Sequence, residues 1–226
     1  MNTFLLYAGT VLIWGSTWLA IKYQLGLVAP ELSIAYRFAL AAFILMAYCV
    51  ATSKRMRYSA RDHLGMATLG LFLFSANYFV FYLATYELTS GLIAVVFSGI
   101  VVTNIIFGAL ILGNRVRPRV ALGAAFGIAG LVTVFWPEIQ NFDLANQGTQ
   151  GLLLSIAGTL LASLGNMASA SNQRRGLPVL QANAYGMTYG ALFMFGVALT
   201  RGQPLIFDTS LLYVGSLLYL ALFGSV

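Results

Sequence analysis

Charge is scarce in this chain. Of its 226 residues only 8% are Asp, Glu, Lys or Arg, while 60% are hydrophobic. Mean hydropathy is +0.86. A soluble domain carries about 25% charged residues, and no water-soluble core could hide this much apolar surface. Lipid must be the solvent. One Cys and one His exclude a zinc cluster and an intrachain disulfide. The only lysines are Lys22 and Lys54, so no late-helix lysine exists for a Schiff base with retinal. A Gly-x-x-x-x-Gly-Lys-Ser/Thr phosphate loop is missing, which excludes ATP hydrolysis by this chain itself. No carboxylate lies mid-span, so proton coupling through a buried Asp or Glu is not visible. Paired carboxylates, His-Glu-x-x-His and a Ser/His/Asp constellation are also missing from the apolar runs. These absences predict a non-enzyme without a cofactor, a metal or a catalytic residue.

What is present is a series of apolar runs. Segments able to supply ~20 apolar residues each fit at 3–22, 32–52, 64–84, 91–112, 120–136, 151–171, 182–200 and 210–226. Their number and length suit helices rather than barrel strands. The expected fold is an all-α polytopic membrane protein. Span 1 lacks a basic leading region and a small-x-small cleavage site, so it reads as a retained helix rather than a signal peptide.

The formal net charge of +6 records topology, not a nucleic-acid partner. Lys54, Arg55, Arg57 and Arg61 follow span 2; Arg115, Arg117 and Arg119 follow span 4; Arg174 and Arg175 follow span 6. The intervening loops carry Glu31, Glu87, Glu138, Asp143 and Asp208. Translocation leaves Lys and Arg on the cytoplasmic side. The reading is a multi-pass protein of the cell (inner) membrane with a cytoplasmic N-terminus. His63, beside Asp62 in a basic loop, reads as solvated, and Lys22 as a snorkelling anchor.

Two stretches echo each other 149 positions apart: Ala8-Gly9-Thr10 with Leu12 matches Ala157-Gly158-Thr159 with Leu161, and Ala35-Tyr36 matches Ala184-Tyr185. Five spans separate the copies, and an odd number of crossings inverts the second. Inverted repeats are a building rule of secondary transporters. The expected units are 1–137 (spans 1–5) and 150–226 (spans 6–8, an incomplete repeat), about eight helices of an expected ten. The polar, Asn/Gln-rich link from Pro137 to Gln150 is their joint. The same offset carries Trp136, the end of span 5, about 59 residues beyond Val226, so a truncated second repeat is expected. Gly123-x-x-x-Gly127 with Gly130 and Gly186-x-x-x-Gly190 read first as intramolecular packing faces, and second as the seam of a homodimer.

Polar groups in hydrocarbon tend to face a protein interior or a wet cavity. Span 6 carries Ser155, Thr159, Ser163, Asn166 and Gln173 at helical spacing; span 1 carries Tyr7, Thr10, Trp14, Thr17 and Trp18. Span 3 adds Asn77, Tyr78, Phe81, Tyr82 and Thr85, and span 4 Phe97, Asn104 and Gly108. The polar faces of spans 1 and 6 could meet at a pseudo-two-fold axis around a chamber for a small amphipathic metabolite. Each Asn reads equally as interhelical glue. Tyr82 and Tyr86 read as an interfacial belt, whereas Trp14 sits mid-span, where a belt does not apply. Arg37 is the one strong charge well inside a span. It either snorkels outward to pair with Glu31, or holds an anionic group of the substrate.

Several of these segments resemble the EamA-type transporters of the drug/metabolite transporter superfamily. Leu12-Ile13-Trp14-Gly15-Ser16-Thr17-Trp18 is similar to the family's first helix, and Ser33-Ile34-Ala35-Tyr36-Arg37-Phe38 to its second. Tyr86 to Ala94 resembles the start of the fourth helix, and Leu112-Gly113-Asn114-Arg115 with Gly123, Gly127 and Gly130 the fourth-to-fifth junction. Two positions depart from the pattern: Asn114, where the family commonly has Glu, and Ser98-Gly99, where a proline often breaks the helix. The resemblance implies ten helices in two inverted halves and export of metabolites, amino acids or drugs by alternating access. It also implies a cavity walled by the first four helices of each half. The candidate substrate-binding residues are Trp14, Trp18, Arg37, Asn77, Tyr78, Asn104, Ser163 and Asn166. The expected partners are a small-molecule substrate and the lipid bilayer, and the competing readings are a channel and a non-transporting scaffold.

Overall fold

A computed structural model describes residues 3–140 and 147–226; Asp143 and the middle of the 137–150 link lie outside them. The described residues form eight long helices and no strand. These are α1 (Thr3–Lys22), α2 (Pro30–Ala51), α3 (Ala60–Glu87) and α4 (Ser90–Leu112). Then come α5 (Pro118–Val134), α6 (Gln147–Arg174), α7 (Val179–Thr200) and α8 (Leu211–Leu222). A short turn of helix, Trp136–Gln140, follows α5. Four of the long helices, α2, α3, α4 and α6, are each long and apolar enough to cross a membrane. The protein is an all-α polytopic membrane protein.

Local chemistry sets the helix ends. Pro30 and Pro118 open α2 and α5 at the first turn, where the missing N–H costs nothing. Ser59 and Asp62 form a reciprocal capping box at the start of α3, and Ser210 caps α8. Gly113 ends α4 with a left-handed φ of 68°, as the αL termination motif requires. The helical ladder of α4 is interrupted at Gly99, whose N–H bonds Val96 O, so the break occurs here without a proline.

The core lies where α2 and α7 pack along most of their length, with α3 across them. Its residues correspond through the repeat offset. Ala35 and Ala184, Phe38 and Met187, Ala42 and Ala191, and Leu45 and Met194 are all buried here. Alanines on both helices let the backbones come close, which is how helices gain packing energy where lipid is as apolar as leucine. The tyrosines of the echo correspond too. Tyr36 Oη donates to Ile206 O at 3.0 Å, in the loop after α7. Tyr185 Oη donates to Met56 O at 2.7 Å, in the loop after α2. Exchanging α1 with α6, α2 with α7 and α3 with α8 turns the α3–α6 contact into α8–α1, and α3–α7 into α8–α2; all four are present.

Inside α3 the ladder widens to a π turn over Phe72–Ala76. Ser75 Oγ donates back to Gly70 O (3.0 Å) and Leu71 O (2.6 Å), occupying carbonyls at this irregularity. The turn is wedged between two glycine surfaces. A Cβ at Gly190 would lie 2.7 Å from Phe74 O, and one at Gly165 2.7 Å from Leu73 Cβ. Gly186 and Gly190 thus belong to the α7–α3 contact, as an intramolecular packing face. The α5 glycines do not follow. Gly123 and Gly130 have nothing within 4 Å, and Gly127 meets only Val102 at 3.8 Å.

Candidate functional site

A cavity of about 520 Å³ opens among α1, α2, α3, α4, α6 and α7 and the segment 223–226. The π turn places its walls: Leu73 and Phe74 lie within the turn, and Asn77 and Tyr78 follow it directly. Such turns recur at functional sites because they re-aim the residues after them. One side is aromatic. Trp18, Phe81 and Phe97 meet edge-to-face, with centroids 5.2 to 5.4 Å apart, a geometry the ring quadrupoles favour. Another side is amide-rich, with Asn77, Asn104, Asn166 and Asn183. Asn104 Oδ1 accepts from Ser163 Oγ at 2.8 Å and from Asn166 Nδ2 at 3.2 Å. This ties α4 to α6 beside the cavity.

Arg37 is the single charged side chain on the wall among the described residues. It is 1% exposed and belongs to neither ion pair found among the described residues. Its Nε donates to Ser225 Oγ (3.0 Å), and its Nη2 to Gly224 O (3.2 Å) and Tyr78 Oη (3.4 Å). Nη1 is buried with no hydrogen-bond partner. The guanidinium carbon sits 4.5 Å from the Tyr78 ring centroid and 5.0 Å from that of Phe38. Those ring faces offset about 0.5–2 kcal/mol, against several kcal/mol for an uncompensated buried ion. Asn77 Oδ1, also buried, lacks a donor.

The model of the EamA-like transporter family matches residues 1–136. The chain belongs to the EamA-like transporter family. The uncharacterized transporter YyaM of Bacillus subtilis is 24% identical over 231 residues, covering 100% of this chain and 74% of its own. The uncharacterized inner membrane transporter YedA of Escherichia coli K12 is 26% identical over 217 residues, covering 95% and 68%. A solved crystal structure superposes with a TM-score of 0.70 at 20% identity, covering 98% of this chain and 74% of that one. That likeness speaks to the fold alone.

Within this family member, seven of the eight candidate residues line one cavity: Trp14, Trp18, Arg37, Asn77, Tyr78, Asn104 and Asn166. Ser163 stands behind the wall and reaches it through Asn104. Several expectations are corrected. Arg37 does not pair with Glu31: Arg201, just past the end of α7, holds that carboxylate at 2.8 Å. Tyr82 is no interfacial belt residue: it is fully buried, while Tyr86 is exposed. The polar stripe of α6 is a cavity face only around Asn166. Ser155 and Thr159 are buried and donate to Gly151 O and Ser155 O of their own helix. The faces of α1 and α6 look onto the cavity, and the extended central contact is made by α2 and α7. His63 is held rather than solvated, with Nδ1 2.9 Å from Tyr189 Oη and its ring against Tyr185. Asn114, the departure from Glu, still accepts from Arg174 Nη2 at 2.6 Å.

Asn183 and Met187 of α7 were not singled out from the sequence, nor were Leu73, Phe74 and Ile100. Asn183 carried a usable signal, an amide at the start of an apolar run one turn before Met187. The apolar wall residues carried none.

Proposed function

We propose that this protein is a secondary carrier that exports small metabolites, amino acids or drugs by alternating access. It would sit in the inner membrane with its N-terminus in the cytoplasm. The observation that carries this reading is the cavity itself. A chamber of about 520 Å³, mixed aromatic and amide in its lining, falls within the usual range for small-molecule sites. It lies beside the α2–α7 contact, about which the offset-related residues are arranged.

Two features support rocking around a fixed site. The Tyr36 and Tyr185 bonds tie each central helix to a loop of the other half of the chain, giving matched closures at opposite ends. The end rich in Arg is further joined by Arg175 to Asp62 and by Asn172 Nδ2 to Gly65 O. The opposite end is joined by Arg201 to Glu31. The basic residues of that first end support its placement in the cytoplasm.

Reconstituted protein tests the reading. Saturable uptake with counterflow is expected for a carrier, whereas linear, non-saturating flux would identify a channel and overturn it. A scaffold would give no flux. The non-enzymatic reading rests on the same family membership and fails if any substrate leaves the vesicles chemically altered.

A further inference from the structure

Among the described residues, the one charged side chain on the cavity wall makes no ion pair. Every acceptor that Arg37 uses is neutral: a serine hydroxyl, a tyrosine hydroxyl and a peptide carbonyl. Nη1, which carries two donors, has no acceptor. Glu31, six residues earlier on the same helix, is engaged by Arg201. The site also excludes bulk beside the guanidinium, since a Cβ at Gly224 would stand 3.2 Å from Arg37 Nη2 and 3.1 Å from Thr17 Cγ2. An arginine stays ionised at any working pH, so burial cannot be relieved by losing the proton. What remains is a permanent cation facing a chamber of single-molecule size.

We propose that Arg37 is the anion subsite of this cavity and that the transported compound is a small organic carboxylate with an apolar or aromatic body. This rests on the carrier reading above and narrows its substrate class. A carboxylate fits the fork geometry of guanidinium. Among the described residues the wall carries this one arginine and no second cation, a match for one negative charge rather than for a phosphate dianion. The Trp18, Phe81 and Phe97 rings provide the apolar side for the body of the molecule. Asn77 Oδ1, buried and without a donor, can take a hydroxyl or amine hydrogen on the ligand.

The test compares acids with their uncharged amides on the full chain in phosphatidylcholine nanodiscs, by calorimetry and thermal shift. The pairs are benzoate and benzamide, phenylacetate and phenylacetamide, and hexanoate and hexanamide, with inorganic phosphate as a further probe. At least one acid should bind roughly tenfold or more tighter than its amide, the scale expected for hydrogen bonds to a charged group. It should also outcompete phosphate. Arg37→Gln should remove that preference, bringing the acid level with its own amide. Equal binding of acid and amide in all three pairs overturns the proposal, and this comparison needs no variant to fold. Phosphate binding as tightly as the best acid overturns the carboxylate assignment. An acid preference without counterflow would leave the subsite standing and remove the carrier reading. Counterflow of an amide alone would do the reverse.

Discussion

Removing one hydroxyl from either end of the molecule should bias it in opposite directions. Tyr36→Phe deletes the bond to Ile206 O, and Tyr185→Phe the bond to Met56 O. Both rings stay packed, Tyr36 against Phe195 and Phe207 and Tyr185 against His63 and Tyr58, so the loss is confined to one neutral hydrogen bond. Such a bond contributes about 0.5–1.5 kcal/mol net, which shifts a two-state ratio roughly twofold to tenfold. Tyr36→Phe should raise amide hydrogen exchange in 203–209 and leave 52–58 protected; Tyr185→Phe should do the converse. The double variant should lie close to the wild-type ratio of the two forms, because the two losses oppose each other. Exchange by mass spectrometry in nanodiscs reads both segments in one experiment. If both single variants loosen the same end, or neither changes its own loop, the two bonds are not opposing closures and the reasoning fails.

Gly190→Ala places a Cβ 2.7 Å from Phe74 O at the π turn, whereas Gly196→Ala on the same helix meets nothing within 4 Å. The first should cost about 1–3 kcal/mol by overpacking and weaken ligand binding. The second should be neutral or stabilising by up to about 1 kcal/mol, both read by thermal unfolding in detergent. Asn104→Ala removes the acceptor shared by Ser163 and Asn166 and should cost roughly 0.6–2 kcal/mol per lost bond. Ser155→Ala, whose hydroxyl bonds only its own helix, should be near neutral in the same assay. Arg201→Ala leaves the Glu31 carboxylate buried and unpaired. It should destabilise by roughly 1.5–3 kcal/mol, and adding Glu31→Gln should recover part of the loss in a double-mutant cycle. In a Cys49→Ala background, Arg57→Cys should react with impermeant thiol reagents only from the cytoplasmic side and Gln203→Cys only from the other; the reverse pattern would invert the proposed orientation.

Periodicity and hydropathy were legible at once, because lipid as solvent permits few alternatives. A span has to satisfy its backbone internally, so each apolar run of sufficient length had to be a helix. The eight expected spans match α1–α8 with ends differing by a few residues, the differences arising where caps such as Ser59 or Pro30 extend a helix beyond its apolar stretch. Residue type and helical face located most of the polar and aromatic residues of the cavity wall. Where the outcome depended on which neighbour a polar group would find, the sequence misled at several points: Arg37 with Glu31, Tyr82 at the interface, Ser155 and Thr159 on the cavity. A helical face specifies direction from its own axis, not what stands opposite.

The sequence by itself determined that this is a bundle of membrane helices and that short stretches of it recur 149 positions apart. The first follows from solvent and from 3.6-residue geometry, which act on each segment alone. Only the tertiary structure decided that α2 and α7 form the centre and that a π turn at Ser75 aims Asn77 and Tyr78 into the chamber. It also decided that Glu31 is spent on Arg201, leaving Arg37 as a buried cation among neutral partners. Pairing of charges depends on distances of a few ångströms between segments far apart in the chain, and those distances exist only once the helices have packed.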